Sequence, residues 1–361
     1  MESVTKQFGA GKQYCNVYDL DFEVSDGELF CFVGPTNSGK TTILRLIAGL
    51  DKPDRGQVSI DGMRVNEVHP SRRQIAMLFE ELALYPNKNG YGNLASPLKV
   101  KKAPKQEIKK RVMGAAKLLG IEHLLDRNPE TYSGGERQRV ALGRILVSQA
   151  KAYLLDEPLG GLDARLRISM RSELKRLQRE LGQTMVMVSH DQEEVMSLGN
   201  RIGVLEKGKI HQVGTPAELY NNPVDSYVAK TIGKPAINLY ECNLEQKNGK
   251  VSVIHDHFTL DIDDRLQEAP EQSREQEVIL GIRPEHIEIG EAKKKDDDIP
   301  ATIFISEPLG AKTIVDFKIG QETIRTLTSS DSQFQIKESK WLRFRKDKIH
   351  LFKKKTGEAI F

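Results

Sequence analysis

Short, wholly apolar runs alternate with longer amphipathic stretches over the first two-thirds of the chain. "ELFCFVG" (28–34), "KAYLLDE" (151–157) and "TMVMVSH" (184–190) have strand length and little polar alternation. That is the pattern of strands buried on both faces. "TTILRLIAGL" (41–50) follows the first run and reads as a helix. From Leu162, apolar residues recur at Leu166, Met170, Leu174, Leu177 and Leu181, a stripe along one helix face. Strands alternating with helices predict an α/β domain built on a parallel sheet with crossover helices. "RIGVLEKGKIHQVG" (201–214) predicts a hairpin turning at Lys207 and Gly208.

After "TPAELYNNPVDSYVAKTIG" (215–233) the rhythm changes to β-rich segments separated by turns, such as "EVILGIRPEHIEI" and "ATIFISEPLGAKTIVDFKI". The pattern predicts a small all-β barrel or sandwich. We place the boundary near residue 230, with one domain over 1–230 and the second over 231–361. "KKKDDD" (293–298) reads as a solvated loop. His255 and His257 alternate on a predicted strand without further ligands nearby, and read as surface residues.

Composition narrows the setting. The 361 residues are 29% charged and 38% apolar, with a formal net charge of +3. So small an excess makes no electrostatic case for a nucleic-acid partner. No apolar run reaches the ~18 residues of a membrane span, and "MESVTKQFGAGK" lacks the basic-then-apolar order of a signal peptide. Cys15, Cys31 and Cys242 form neither a disulfide framework nor a metal-ligand spacing. The expectation is a cytosolic protein whose membrane role, if it has one, comes through a partner.

The candidate chemistry begins at "GPTNSGKT" (34–41), which fits G-x-x-x-x-G-K-[ST] between an apolar strand and a helix. In such a loop successive backbone N–H groups turn toward phosphate oxygens, and the helix start adds its positive dipole end. Gly34, Pro35, Thr36, Asn37, Ser38, Gly39, Lys40, Thr41 and the adjoining Thr42 are the candidate nucleotide-binding run. Lys40 is expected on the β- and γ-phosphates and the Thr41 hydroxyl on Mg²⁺. Asp156 closes an apolar strand, where a carboxylate is needed to hold Mg²⁺ through water. Glu157, next to it, would face the attacking water. Together these imply a nucleoside triphosphatase.

"YSGGERQRVALGRILV" (132–147) carries a capping box, with Glu136 three residues after Ser133. Ser133, Gly134 and Gly135 also form a bare helix start, a second anion site. This stretch resembles the LSGGQ signature of ATP-binding cassette (ABC) proteins. "ALYPN…YGNLASPLKV", "LLDEPLGGLDARLR" and "GTPAELYNNP" are similar to the ATPases of bacterial carbohydrate importers, a group that includes maltose, multiple-sugar and glycerol-3-phosphate systems. "LGIRPEHIEI", "EPLGAKTIV" and "IHLFKKKTGEAI" resemble the C-terminal OB-like (TOBE) domain of that group.

The resemblance implies ATP and Mg²⁺ as ligands and a helical subdomain over roughly 84–150. It implies a second ATPase subunit, identical or paralogous, whose Ser133–Gly134–Gly135 end covers the γ-phosphate. It further implies two permease subunits, an extracytoplasmic solute-binding protein acting indirectly, and a peripheral place on the cytoplasmic face of the membrane. Asp163 matches the D-loop aspartate and His190 the switch histidine. The segment from Leu84 to about Leu98 would meet the permease. A DNA-repair or translation ATPase of this family would carry two cassettes or a coiled-coil insertion, and neither is found.

Three departures from the family pattern stand out. Glu80 occupies the Q-loop position of a Mg²⁺-ligating glutamine; a carboxylate ligates as well but donates no hydrogen bond and adds negative charge beside the γ-phosphate. Slower or retuned hydrolysis is the expectation, with a nucleotide-binding partner in a heterodimeric pair as the alternative. Gly160–Gly161 replaces the D-loop's more usual polar residue. A strand that normally precedes "VTKQFG" (4–9) is expected to be absent, which leaves Phe8, then Tyr14, as the candidates to stack on adenine.

Overall fold

The computed structural model describes residues 1–9, 15–247, 250–262, 277–330 and 334–360. The chain forms two compact units, Met1–Pro216 and Ala217–Phe361.

The first unit is built on a six-stranded sheet in the order Lys209–Gly214, Arg201–Glu206, Leu29–Val33, Thr184–Ser189, Ala152–Asp156, Ile75–Leu78. All neighbours run parallel except the first two. Every residue of Leu29–Val33 is buried, as its unbroken apolar run predicts. The hairpin turns where expected: Lys207 (φ 47°) and Gly208 (φ 79°) take the paired left-handed conformations of a two-residue turn.

Helix α1 (Lys40–Ala48) follows the central strand and ends at Gly49, φ 79°. Three helices, α2 (Gly90–Val100), α3 (Lys105–Leu119) and α4 (Gly134–Leu146), pack on one another. Helix α5 (Ala164–Leu181) realises the apolar stripe, burying Met170, Leu174 and Leu177, and α6 (Gln192–Leu198) follows the strand Thr184–Ser189.

The expected loss of the first strand is corrected. Glu2–Lys6 is a strand, paired antiparallel with Val17–Leu20 and Arg55–Gln57. It buries one side chain, Val4, so it leaves almost no trace in the apolar pattern.

The second unit opens with two short helices, α7 (Pro216–Asn221) and α8 (Ser226–Thr231). The division between the compact units falls between Pro216 and Ala217, at the start of α7. Arg283 accounts for their attachment to the β-rich part. Its buried guanidinium donates to Tyr220 O (2.6 Å) and Ile232 O (2.6 Å), at the ends of the two helices, and lies 3.7 Å from the Tyr220 ring centroid. Two five-stranded antiparallel sheets follow. Val253, Leu280, Ile303, Phe317 and Leu342 belong to their common core.

Two expectations in this unit change. Asp298, the last acid of "KKKDDD", is buried: it accepts from the Lys294 and Lys295 amides and pairs with Arg343 at 2.6 Å, so the run closes as a braced turn. His255 is also buried, stacked on Phe258 (4.4 Å between centroids) with Nε2 3.2 Å from Glu322 Oε2; His257 is exposed in the turn beyond it. Among the described residues, no helix is long and apolar enough to cross a membrane.

Candidate functional site

The phosphate loop leaves the central strand at Gly34, where a Cβ would collide with Leu205 O of the hairpin. It enters α1 through Gly39, φ 101°, whose Cα packs beside Val17 and Gly208. The hairpin tip closes this contact: Gly208 N donates to Ser38 O and Tyr18 N to Gly208 O, each at 2.9 Å. Pro35, Thr36 and Asn37 are exposed at the loop's crest.

Lys40 is largely buried, and its ammonium donates to Gly34 O (2.8 Å) and Pro35 O (2.9 Å). Burial lowers its pKa, against the opposing pull of the Glu157 and Asp156 charges. Ser38 Oγ is buried with no hydrogen-bond partner, a polar atom left for a ligand. Thr42 turns the other way and donates to Cys15 O at 2.8 Å, bracing the loop from behind.

Thr41 Oγ1 donates to Asp156 Oδ1 at 3.2 Å across the end of the parallel sheet. Burial, with Glu157 and Glu80 adding repulsion, pushes the Asp156 carboxyl up to about 6 against the Thr41 hydrogen bond and Lys40. Glu157 sits at φ 45°, a left-handed conformation that a non-glycine residue holds only at some cost. Its N–H donates to Val188 O (3.0 Å), and its Oε2 lies 3.0 Å from Nδ1 of the exposed His190. Glu80 is exposed just past the strand Ile75–Leu78, beside the Asp156 strand, close enough to act on both Asp156 and Lys40. Thr41 and Asp156 bring two oxygen donors together, the chemistry a hard divalent cation takes, although among the described residues no three acidic, histidine or cysteine side chains are grouped closely enough to hold a metal ion by themselves.

The structure thus gathers Lys40, Thr41, Asp156, Glu157 and His190, with Glu80 at the edge. Asp163 is not part of that cluster; its Oδ1 accepts from Leu166 N (2.9 Å) and caps α5. Ser133 and Glu136 form the expected capping box at the start of α4. Gly135 lets that start approach Leu166 of α5. Among the described residues no hydrogen bond joins Ser133, Gly134 or Gly135 to the phosphate loop. Phe8 is half-buried, its N–H donating to Asn16 Oδ1 (2.7 Å) next to the backbone that packs on Gly39 and Gly208. Tyr14 lies outside the described residues.

Two residues were not anticipated. The Gln138 amide donates to Pro158 O and ties α4 to the turn after Glu157. Arg144 donates to Leu82 O (2.7 Å) and Ala83 O (2.6 Å), both left-handed residues, just beyond Glu80. Asn93 then holds both the N–H (2.8 Å) and the C=O (3.1 Å) of Tyr85. The one signal for Arg144 in the sequence is an arginine set between Gly143 and Ile145, two buried positions of α4.

Comparison with known proteins agrees with this geometry. The ABC transporter family model matches residues 17–160, the MalK OB fold domain 233–287 and the TOBE domain 280–352. The chain is 41% identical to the trehalose/maltose import ATP-binding protein MalK of Thermococcus litoralis, over 99% of this chain and 98% of that one. It is 39% identical to the sn-glycerol-3-phosphate import ATP-binding protein UgpC of Psychromonas ingrahamii, over 100% of this chain and 95% of that one. Among solved structures, it resembles the dimeric post-hydrolysis ATP-binding cassette MJ0796 bound to ADP and Pi (TM-score 0.54, 30% identity, 59% of this chain and 97% of that one). The chain belongs to the ABC transporter family, as an ATPase subunit of the importer type that carries a MalK-type OB fold and a TOBE domain.

Proposed function

We propose that this ATPase drives uptake of a carbohydrate or a related solute, such as a polyol phosphate, through a separate permease. The observation that supports this most is the clustering of Thr41, Asp156, Glu157, Lys40 and His190 at the ends of neighbouring strands, beside a phosphate loop with an orphaned Ser38 hydroxyl. The names of the relatives, import proteins for trehalose, maltose and glycerol-3-phosphate, support the solute class.

In this reading ATP is held by the loop amides and Ser38, and Lys40 exchanges its two carbonyl partners for phosphate oxygens. Thr41, Asp156 and Glu80 would hold Mg²⁺, which would supply charge neutralisation at the phosphates. Glu157 takes the proton of the attacking water, and His190, bonded to it, orients that carboxylate and reaches the γ-phosphate side. A second ATPase subunit supplies its own Ser133–Gly134–Gly135 end, because one chain leaves that anion site apart from its own loop. The Leu84–Leu98 segment lies under a cytoplasmic helix of the permease, which places the chain on the inner membrane face.

The test is uptake by proteoliposomes carrying the permease, a binding protein and this chain, supplied with labelled maltodextrin, trehalose or glycerol phosphate. Uptake that requires ATP and fails with Lys40→Ala supports the reading. ATP turnover without uptake of any such solute removes the solute class.

A further inference from the structure

Between residues 99 and 117 the chain carries eight lysines and arginines against a single acid, Glu107. The segment's net charge of +7 exceeds the +3 of the whole protein, so everything outside it is net acidic. Glu107 is engaged by Arg111, four residues on along α3, and does not offset the others. Lys99, Lys101, Lys102, Lys105, Lys109 and Lys110 are all exposed, at the end of α2, on the turn joining it to α3 and on the first turns of α3. At its centre Val100 is 83% exposed.

Helix-end electrostatics accounts for only part of this arrangement: Lys99 in the last turn of α2 and Lys101 at its C-cap meet the negative end of that dipole. Lysines at the start of α3 oppose the helix dipole, which favours acids there. Among the described residues no ion pair engages Lys102, Lys105, Lys109 or Lys110. Nor does the composition suit nucleic acid. No aromatic residue lies between Tyr91 and Tyr132 to stack on bases, and lysine outnumbers arginine seven to one, where base reading uses arginine.

We infer that this lysine-rich turn contacts the headgroups of anionic phospholipids, with Val100 entering the interfacial region. Lysines act there as point charges in the field of an anionic leaflet, which extends about a Debye length, ~8–10 Å, from the surface. Helix α2 relates this turn to the Tyr85 segment. Asn93, near the start of α2, holds the Tyr85 segment, and the eleven residues of α2 carry the basic turn no further than about 16 Å from there. The inference rests on the reading above in one respect, that the Tyr85 segment faces a permease and hence a bilayer.

The experiment uses the purified full chain without permease. It is sedimented with vesicles of phosphatidylcholine alone or mixed with phosphatidylglycerol, at low and high salt. Binding is expected to the anionic vesicles only and to weaken with salt. A combined Lys101→Gln, Lys102→Gln, Lys105→Gln and Lys109→Gln chain, matched to wild type in melting temperature and basal ATPase rate, is expected to lose about tenfold or more in vesicle affinity. Equal binding to neutral vesicles, or an unchanged affinity of the variant, overturns the inference. So does displacement by short duplex DNA at concentrations where soluble phosphoglycerol has no effect, which would make the turn a nucleic-acid surface. Failure of the wild-type chain to bind anionic vesicles while uptake stands removes the lipid contact alone; failure of uptake while the wild-type chain binds vesicles removes only the importer reading.

Discussion

Arg144 Nη2 donates to Leu82 O at 2.7 Å, so the helix that begins with Ser133 also holds the loop that carries Glu80. Burial lowers the pKa of this guanidinium, which its carbonyl partners still keep hydrogen-bonded. Two hydrogen bonds thereby join α4 to the residues that follow Glu80 by two and three positions. Arg144→Ala is expected to lower kcat for ATP about tenfold in the assembled transporter while leaving KM near wild type. Arg144→Lys, which restores one donor, is expected to recover part of the rate. Steady-state ATPase kinetics distinguish this from general damage, in which KM and melting temperature would move as well.

Glu157→Gln keeps the size of the side chain on the left-handed turn but removes the carboxylate proposed as the base. ATP hydrolysis is expected to fall by about two orders of magnitude or more, with nucleotide affinity retained. A variant that binds ATP in a fluorescence titration but shows no single-turnover product fits this role. Survival of both hydrolysis and uptake would mean that this site is not the engine.

Glu80 adds a third negative charge beside Asp156 and Lys40. Glu80→Gln is expected to raise turnover in the assembled complex by roughly threefold to tenfold, since phosphoryl transfer is opposed by negative charge at that place. Turnover equal to wild type across a Mg²⁺ titration would show that the carboxylate is tolerated at no cost.

A pH-dependent effect is expected at Glu194. Its side chain is buried, accepts from Ser189 Oγ (2.8 Å) and lies 3.6 Å from Arg167. Burial raises its pKa above the ordinary carboxylate value. A raised carboxyl contributes most to stability while protonated, and that contribution is lost as pH rises through its folded-state pKa. Glu194→Gln is therefore expected to raise the melting temperature relative to wild type more at pH 8 than at pH 5. A difference that is the same at both values would assign the effect to packing.

Much of the nucleotide-site half of the fold was legible in the sequence because its strands are buried on both faces and its glycines are dictated by close backbone approach. Leu29–Val33 and the Gly34 turn could hardly be read otherwise. The strand Glu2–Lys6 was not legible, because a strand that buries only Val4 has no period to detect. Asp298 and His255 were misjudged for a related reason. Each has an ion-pair partner distant in sequence, Arg343 or Glu322, of which local polarity says nothing. Lys40, Asp156 and Glu157 were readable because phosphate chemistry constrains residue type and spacing together. Arg144 was not, since it acts on two carbonyls about sixty residues away and any residue can supply a carbonyl.

The contact of Gly208 with Ser38 and Gly39 bears on how the protein can be modified. A hairpin tip of two residues is ordinarily a tolerant place to insert a tag, a fluorophore or a protease site. Here the tip is the wall against which the phosphate loop is shaped. Insertion after Lys207 would deform that loop from behind while leaving every residue of its motif in place, so a labelled protein could keep its sequence signature and lose its nucleotide. Reporter groups belong instead near the exposed Lys293–Asp296 pair, within the second compact unit.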